Sequence, residues 1–207
     1  MKLRTILLFG APGAGKGTQG KILGTIPSFF HFACGDAFRN LTIESELGRI
    51  FLDYSSRGLL VPEEPTIRLW KDSIEGSRKM GRYNPDRDTL VLDGIPRNTT
   101  QAKILAETLN VIAVFHLKCS NMEQLVERMQ RRALRENRLD DANLEIIRSR
   151  LETYESETKS VLDYYGSELL HFIDSSQSPI NVLRAILDVI AAIPEVQPPV
   201  GVANARG

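Results

Sequence analysis

The segment GAPGAGKGT, residues 10–18, constrains the fold of this chain more than any other stretch of its 207 residues. It follows the apolar run ILLF and precedes a helical pattern. Backbone N–H groups of such a glycine-rich turn, together with the N-terminus of the next helix, form a concave anion site, and Lys16 adds a charge that reaches terminal phosphates. A plain glycine-rich turn is the alternative, but it gives the lysine no role. The segment therefore predicts a phosphate-binding loop between a first strand and a first helix.

Short apolar runs recur along the chain and predict its strands. Each is almost free of polar residues, and each is separated from the next by a segment long enough for a crossover helix. The pattern predicts an α/β fold in three layers, with helices on both faces of a doubly wound, five-stranded parallel sheet. The runs are RTILLF (4–9), FFHFA (29–33), TLVLD (89–93), NVIAVFHL (110–117) and LLHFID (169–174).

Capping signals and apolar spacing indicate where several helices begin and end. Ser120 and Glu123 have the spacing of a capping box before MEQLVERM. Ser178, which precedes a proline, predicts the start of a helix over INVLRAILDVIAAI. Apolar residues at helical spacing predict a long helix over 144–165.

Composition narrows the class of partner and the compartment. Lys and Arg number 26, as do Asp and Glu, so the net charge gives no reason to expect nucleic acid or an anionic membrane as the main partner. No run approaches the roughly 18 apolar residues of a membrane helix. Cys34 and Cys119 are too few for a disulfide framework or a zinc site, which is typical of a cytoplasmic protein. Residues 196–207 offer little to bury and are expected to form a loose tail.

The residue after Lys16 suggests how Mg²⁺ is held. It is Gly17, and the hydroxyl that ligates Mg²⁺ directly in many phosphate-loop proteins comes one place later, at Thr18. We therefore expect the metal to be held by nucleotide phosphates and water. Asp93 ends the third predicted strand, where ligands of open α/β sheets bind, and is placed to accept hydrogen bonds from those waters. A helix cap or turn residue is the alternative for Asp93.

An arginine cluster in ERMQRRALRENR predicts a second phosphate-binding element. Arg128, Arg131, Arg132 and Arg135 share one helical face, and Arg138 follows closely. Such a group of cations is mutually repulsive unless polyanions neutralise it. A solvated face or an RNA-binding patch is the alternative, but zero net charge and a phosphate loop in the same chain favour a polyphosphate clamp.

The three histidines do not suggest a catalytic nucleophile or base. His31, His116 and His171 each lie inside an apolar strand. This placement is typical of hydrogen-bonded core histidines, and no Ser-His-Asp or Cys-His arrangement accompanies them.

Taken together, these motifs resemble those of the adenylate kinases, within the nucleoside monophosphate kinases. The resemblance covers nearly all of residues 4–190. It implies reversible, Mg²⁺-dependent transfer of a phosphoryl group from ATP to AMP, which gives two ADP. The motifs, in the family's order and spacing, are GAPGAGKGTQ (10–19), CGDAFR (34–39), GLLVP (58–62), DGIPRNTTQ (93–101), RMQRR (128–132), NRLDD (137–141) and RSRLETY (148–154).

The resemblance also implies which residues bind each nucleotide. The implied ATP contacts are Gly13, Ala14, Gly15, Lys16, Gly17, Thr18, Arg128, Arg132 and, as a weaker match, Gln177. The implied AMP contacts are Cys34, Arg39, Leu59, Leu60, Val61, Gly94, Ile95, Pro96, Arg97, Gln101, Arg138 and Arg150. The implied catalytic residues are Lys16, Asp93, Arg97, Arg128, Arg132, Arg138 and Arg150, with Asp93 bound to the metal through water.

The family's organisation implies three parts and a tail. Residues 1–33, 66–132 and 142–195 would form the core, 34–65 a helical monophosphate-binding insert, and 133–141 a short lid. Such a lid is too short for the four-cysteine zinc site of some relatives, so no structural zinc is expected. Asp140 and Asp141 would pair with arginines when the lid closes, and the protein is expected to be a monomer.

Alternatives remain for the acceptor and for the activity. Cys34, Leu59 and Ile95 depart from the usual adenylate kinase residues on the acceptor side, and Asn98 resembles the pattern of pyrimidine kinases, so a UMP/CMP kinase is one alternative. Gln101 favours AMP, because related uridylate and cytidylate kinases carry Asn there. A catalytically silent nucleotide sensor and an ATPase coupled to a partner are the others; the intact arginine set argues against the first, and the acceptor motif around Arg97 against the second.

Overall fold

The computed structural model describes residues 2–136, 138, 141 and 143–196. The strands are β1 (Leu3–Gly10), β2 (Phe29–Ala33), β3 (Thr89–Asp93), β4 (Leu109–Lys118) and β5 (Leu170–Asp174). The helices are α1 (Lys16–Leu23), α2 (Cys34–Arg39), α3 (Glu46–Ser55), α4 (Glu63–Lys79), α5 (Thr99–Leu105), α6 (Met122–Glu136), α7 (Leu144–Tyr165) and α8 (Pro179–Ala191), followed by a 3₁₀ turn at Pro194–Val196. The predicted tail lies outside the described residues from position 197 onward.

The strands form one parallel sheet in the order β2-β3-β1-β4-β5, which confirms the predicted five-stranded α/β fold. Central β1 pairs with β3 on one side and β4 on the other, so that Ile6 is level with both Val91 and Ala113. The chain passes from β1 outward to β2, returns to β3, and then crosses β1 to reach β4. In such sheets a crevice opens beyond the carboxyl ends of the strands at this reversal, and ligands bind there.

Alternate residues of the strands belong to two separate cores. Leu7 and Leu92 point to one face, where they join Trp70 and residues of α4, α5 and α7. Ile6 and Phe115 point to the other face, where they join residues of α1 and α8. Because a parallel sheet must bury both faces, this division produces the three layers expected from the uninterrupted apolar runs.

The helix caps confirm one prediction and correct another. Ser178 caps α8, since its side chain accepts a hydrogen bond from the Asn181 N–H, as predicted. The cap of α6 is Asn121, whose Oδ1 accepts from the Gln124 N–H at 3.0 Å, so the predicted capping box at Ser120 is wrong by one residue. Ser and Asn are similarly good caps, and the sequence alone does not choose between neighbours.

Two boundaries of the predicted parts can be compared with the helices. The segment 34–65 contains α2, α3 and the start of α4, and the Phe38 and Phe51 rings stack at 5.2 Å between α2 and α3. The predicted lid began at residue 133, but α6 continues to Glu136 because Ala133–Glu136 contains only good helix formers. Positions 137, 139, 140 and 142, including Asp140, lie outside the described residues.

The three histidines lie on the strands as predicted, but not all are fully hydrogen-bonded. His116 Nε2 lies 2.7 Å from the Tyr154 hydroxyl, and burial lowers the pKa of His116 to about 4. His116 Nδ1 and His31 Nε2 are buried with no hydrogen-bond partner among the described residues, so the expectation of satisfied core histidines is wrong for both atoms. Packing alone holds them neutral.

Among the residues that the structure describes, no helix has the length and apolar character needed to cross a membrane.

Two glycines inside helices give a matched test of the packing. A Cβ at Gly20 of α1 would lie 2.3 Å from His31 Nε2, whereas a Cβ at Gly76 of α4 would meet only the Met80 Cε at 3.9 Å. We predict that Gly20→Ala destabilises the protein by about 1–3 kcal/mol through overpacking. Gly76→Ala should stabilise it by about 0.5–1 kcal/mol through helix propensity. Urea unfolding measures both, and equal effects of the two substitutions would contradict the packing of α1 on β2.

Candidate active site

A cavity of about 870 Å³ opens beyond the carboxyl edge of the sheet. The loop after β1, the residues after β2 and β3, and the facing sides of α6 and α7 form its walls. Of the predicted site residues, it is lined by Gly13, Ala14, Gly15, Lys16, Gly17, Thr18, Cys34, Arg39, Leu59, Leu60, Val61, Asp93, Gly94, Pro96, Arg97, Gln101, Arg128, Arg132, Arg138, Arg150 and Gln177. Ile95 is the exception: its side chain is only 2% exposed and belongs to the core around Trp70.

The loop after β1 has the backbone conformation of an anion cradle. Gly13 and Gly15 have φ values of 85° and 96°, in the left-handed region that favours glycine. A side chain at Gly13 would also meet the Leu125 carbonyl oxygen at 2.8 Å, so this glycine is required for close packing against α6 as well. Helix α1 begins directly at Lys16, and its free N–H groups therefore face the cavity.

Lys16 holds the loop together from inside. Its Nζ donates to the carbonyl oxygens of Gly10, at 2.6 Å, and Ala11, at 3.1 Å. Burial lowers the pKa of Lys16 to about 8, an effect that nearby Asp93 opposes and that the guanidinium of Arg97 and others reinforce. A phosphate beside Nζ would favour the charged form, because an opposite charge raises the pKa of a lysine. The lysine is thus a cation whose protonation is coupled to anion binding.

Asp141 organises two of the arginines. It is fully buried; its Oδ2 accepts from Arg132 Nε at 2.7 Å and its Oδ1 accepts from Arg150 Nη1. These contacts join α6 to α7 across the cavity. Arg128, one turn before Arg132, instead donates to the Ser175 carbonyl oxygen at 2.9 Å, beside the residues that follow β5.

Asp36 is a functional candidate that the sequence reasoning did not identify. Its Oδ1 accepts from Arg39 Nη2 and from Arg138 Nη2, both at 3.0 Å, and Lys21 Nζ lies 3.7 Å from its Oδ2. Burial opposes ionisation, but the hydrogen bond and charge of Arg39, with Arg138, leave the pKa of Asp36 below its usual value. One carboxylate therefore connects the insert, α1 and the segment between α6 and α7. The Asp36-to-Arg39 spacing was visible in the sequence, whereas Arg138 is 102 residues away.

The acceptor motif after β3 has its own hydrogen-bond network. Arg97 Nε donates to the Gly94 carbonyl oxygen at 2.9 Å, and the Arg97 N–H donates to Gln101 Oε1 at 2.8 Å. Gly94 has a φ of 78°, and a Cβ there would lie 3.3 Å from Arg97 Nη2. Cys34 lies nearby, and burial raises the pKa of its thiol to about 11, so it is neutral. The Nη groups of Arg97 have no partner among the described residues and remain available to an anion.

Asp93 fits the expected metal-shell role chemically. Its carboxylate is 9% exposed, lines the cavity, and has no hydrogen-bond or ion-pair partner among the described residues. A Cβ at Gly17 would lie 3.5 Å from Asp93 Oδ2, which places the carboxylate against the phosphate loop. A hard cation with a water shell suits such a single carboxylate. The described residues contain no cluster of three or more His, Cys, Asp or Glu side chains that could hold a metal by themselves.

The charge of the cavity differs from that of the whole chain. Among the described residues, ten Lys and Arg side chains line it against four Asp and Glu side chains. In a chain with a formal net charge of zero, such a concentration indicates a site for polyanions. The phosphate loop lies at one side of the cavity and Arg97 with Arg39 at another, so the geometry accommodates two phosphorylated ligands. Fold and site together define a phosphate-loop nucleotide-binding protein.

Comparison with known proteins identifies the family. The family model described as adenylate kinase matches residues 8–169. The adenylate kinase of Parabacteroides distasonis is 36% identical over 80% of this chain and 86% of its own length. Those of Streptomyces coelicolor (32% identical, 89% and 97% covered) and Corynebacterium urealyticum (35% identical, 88% and 96% covered) are similar over almost their full lengths. The chain belongs to the adenylate kinase family and is a nucleoside monophosphate kinase.

The buried carboxylate of Asp141 gives a direct test of the arginine arrangement. We predict that Asp141→Asn lowers kcat by a factor of about 10 to 10², because a neutral amide cannot hold two guanidinium groups in the same geometry. The measurement is steady-state phosphoryl transfer on protein shown by circular dichroism to be folded.

Asp163→Asn is the matched control, since Asp163 is an exposed carboxylate on the same helix. It should keep kcat within about twofold of the wild type. A folded Asp141→Asn protein with wild-type kcat would show that this carboxylate does not position the arginines.

Proposed function

We propose that this chain catalyses the reversible, Mg²⁺-dependent transfer of the terminal phosphoryl group of ATP to AMP, giving two ADP. One observation supports this beyond family membership. The phosphate loop and the Arg97 motif line a single cavity, and the guanidinium groups of Arg132, Arg138 and Arg150 line it as well. A cavity of this kind holds a donor and an acceptor in contact, whereas an ATPase needs no second phosphate site.

The donor site is proposed to lie at the phosphate loop. Backbone N–H groups of residues 13–18 would bind the donor phosphates, and Lys16 would exchange its loop carbonyls for the terminal phosphates. Arg128 and Gln177 lie beside the segment that follows β5, on the donor-base side. Gln177 Nε2 lies 3.4 Å from Asp174 Oδ2 and is exposed.

The acceptor site is proposed to lie between the insert and the residues after β3. Arg39 and Arg97 would bind the monophosphate, and the close approach at Gly94 lets the backbone reach it. Leu59, Leu60 and Val61 would pack against the acceptor base, with Cys34, Pro96 and Gln101 around it. Ile95 supports this wall from the core side rather than touching the ligand.

The reaction requires no general base, because the attacking group is already an anionic phosphate oxygen. The protein must align two polyanions, exclude water and place positive charge around the transferred group. Lys16, Arg132, Arg138 and Arg150 supply that charge, and Asp36 and Asp141 fix the direction of three of these guanidiniums. Asp93 would hold the water shell of Mg²⁺, which when bound neutralises phosphate charge.

Preference for AMP is proposed to depend on Gln101. Its Oε1 accepts from the Arg97 N–H, which leaves Nε2 to donate to the acceptor base. Adenine presents a ring-nitrogen acceptor at N1, whereas the corresponding position of guanine carries a proton. Cys34 contributes only a weak hydrogen-bonding group, so the preference rests mainly on one amide. A polar contact of this kind discriminates by about 1–3 kcal/mol.

We further propose a cytoplasmic monomer without structural zinc and with no nucleic acid or membrane partner. Both cysteines are free, and Cys34 is buried at the acceptor side, which fits a reducing compartment. The phosphate loop, the acceptor motif and the arginines that surround them all come from one chain, so the proposed chemistry needs no second subunit.

The test is a product assay with ATP, Mg²⁺ and each of AMP, CMP, UMP and GMP. We predict that AMP leads the other three by a factor of about 10 or more in kcat/KM, and that Gln101→Asn erodes that lead. The donor should yield one nucleoside diphosphate for each acceptor diphosphate formed.

Reactions without any monophosphate serve as the control. They should release almost no inorganic phosphate, since water is excluded only when both ligands are bound. Rapid phosphate release without an acceptor would indicate an ATPase, and the absence of any product would indicate a nucleotide sensor. A higher rate with CMP or UMP would contradict the AMP preference alone.

A further inference from the structure

Asn98 joins two parts of the acceptor side without touching the cavity. Its Oδ1 accepts a hydrogen bond from the Gln101 N–H at 2.9 Å, which caps α5. Its Nδ2 donates to Glu63 Oε1 at 2.7 Å. The residues on both sides of it, Arg97 and Gln101, line the cavity, but Asn98 does not. Any effect of Asn98 on the acceptor must therefore pass through its two partners.

Glu63 lies where the chain leaves the acceptor-binding insert. It is the first residue of α4 and directly follows the segment Leu59–Pro62, three residues of which line the cavity. Thr66 Oγ1 donates back to the Val61 carbonyl oxygen at 3.3 Å, so the first turn of α4 also holds this segment. The position of the Glu63 carboxylate thus reports the position of the wall against which the acceptor packs.

The other partner of Asn98 belongs to the motif that binds the acceptor from the opposite side. Gln101 is 1% exposed, and its Oε1 accepts from the Arg97 N–H at 2.8 Å. A continuous chain of hydrogen bonds therefore runs from Glu63 through Asn98 and Gln101 to Arg97. It links the insert wall to the proposed monophosphate ligand and to the proposed base-reading amide.

We propose that Asn98 is a positioning residue for the acceptor nucleotide, because its hydrogen bond to Glu63 holds the Leu59–Val61 wall at the correct distance from Arg97 and Gln101. This inference rests on the proposed function, since it assumes that the acceptor binds between these elements. It also gives a physical reason for an asparagine at this position: a Ser, Thr or Asp would cap α5 as well, but only the amide both caps the helix and donates to a carboxylate.

The chemistry of the pair allows the link to be separated from the cap. Asn98→Asp keeps an oxygen that caps α5 but replaces the donor with a second carboxylate that faces Glu63. Asn98→Ser also keeps the cap and removes the donor without adding charge. Glu63→Gln keeps an oxygen that accepts from Asn98, and in the double variant with Asn98→Asp its amide donates in the reverse direction.

The experiment measures KM for AMP, KM for ATP, kcat and Tm for these variants. Asn98→Asp should raise KM for AMP about 10-fold, and Asn98→Ser about threefold, with kcat and KM for ATP within about twofold of the wild type. Glu63→Gln alone should have little effect. The double variant Asn98→Asp/Glu63→Gln should return KM for AMP to within about threefold of the wild type, because the hydrogen bond is restored with its direction reversed.

Asn121→Asp is the matched control, because Asn121 caps α6 through the same kind of contact and lies away from the acceptor motif. It should leave every kinetic constant within about twofold of the wild type. Wild-type KM for AMP in both Asn98→Asp and Asn98→Ser would overturn the proposal and leave Asn98 as a simple cap. A loss of Tm in Asn98→Asp that the double variant does not reverse would overturn it as well. If the wild-type protein transfers no phosphoryl group to any monophosphate, the proposed function itself fails, whereas normal transfer with unaffected variants rejects only the role of Asn98.

Discussion

The concentration of positive charge at the carboxyl edge of the sheet is the constraint on which the rest of this structure depends. Guanidinium groups at such short range repel one another and are costly to desolvate. The structure offsets this with a few carboxylates whose geometry is fixed, above all Asp141 and Asp36. Each of them holds two arginines that come from different segments of the chain. The remaining positive charge is compensated only when polyanions bind, so the same arrangement that costs stability produces affinity for phosphates.

The fold places this charge where backbone dipoles reinforce it. The parallel sheet brings the ends of β1, β2 and β3 to one edge, and α1 begins at Lys16 directly beyond β1. Its N-terminus adds partial positive charge to that of the side chains. The low pKa of Lys16 results from the same environment, since a buried ammonium beside several guanidiniums is held in its charged form only weakly. Anion binding and the protonation of this lysine are therefore linked.

The sequence predicted what depends on local pattern and short spacing. The five strands, the phosphate loop and the cap at Ser178 were predictable because apolar runs, glycine spacing and a Ser-Pro pair act through neighbouring residues. The link from Asp36 to Arg138 was not, because it joins residues that only the closed tertiary structure brings together. Ile95 was misplaced for a similar reason. It follows Asp93 and Gly94 in an acceptor motif, but the core around Trp70 takes its side chain, and residue order does not show that choice. The role of each predicted site residue still rests on the proposed function.

The central claim is that one cavity holds both nucleotides with their phosphates in contact. Calorimetric titration with a bisubstrate analogue, in which a polyphosphate chain joins two adenosines, tests it most directly. The account predicts that one analogue molecule binds per chain, that it binds at least about 10²-fold more tightly than ATP alone, and that it displaces both ATP and AMP. If the saturated complex still bound AMP, or if the analogue bound no more tightly than ATP, the two nucleotides would not share this cavity and the account would be wrong.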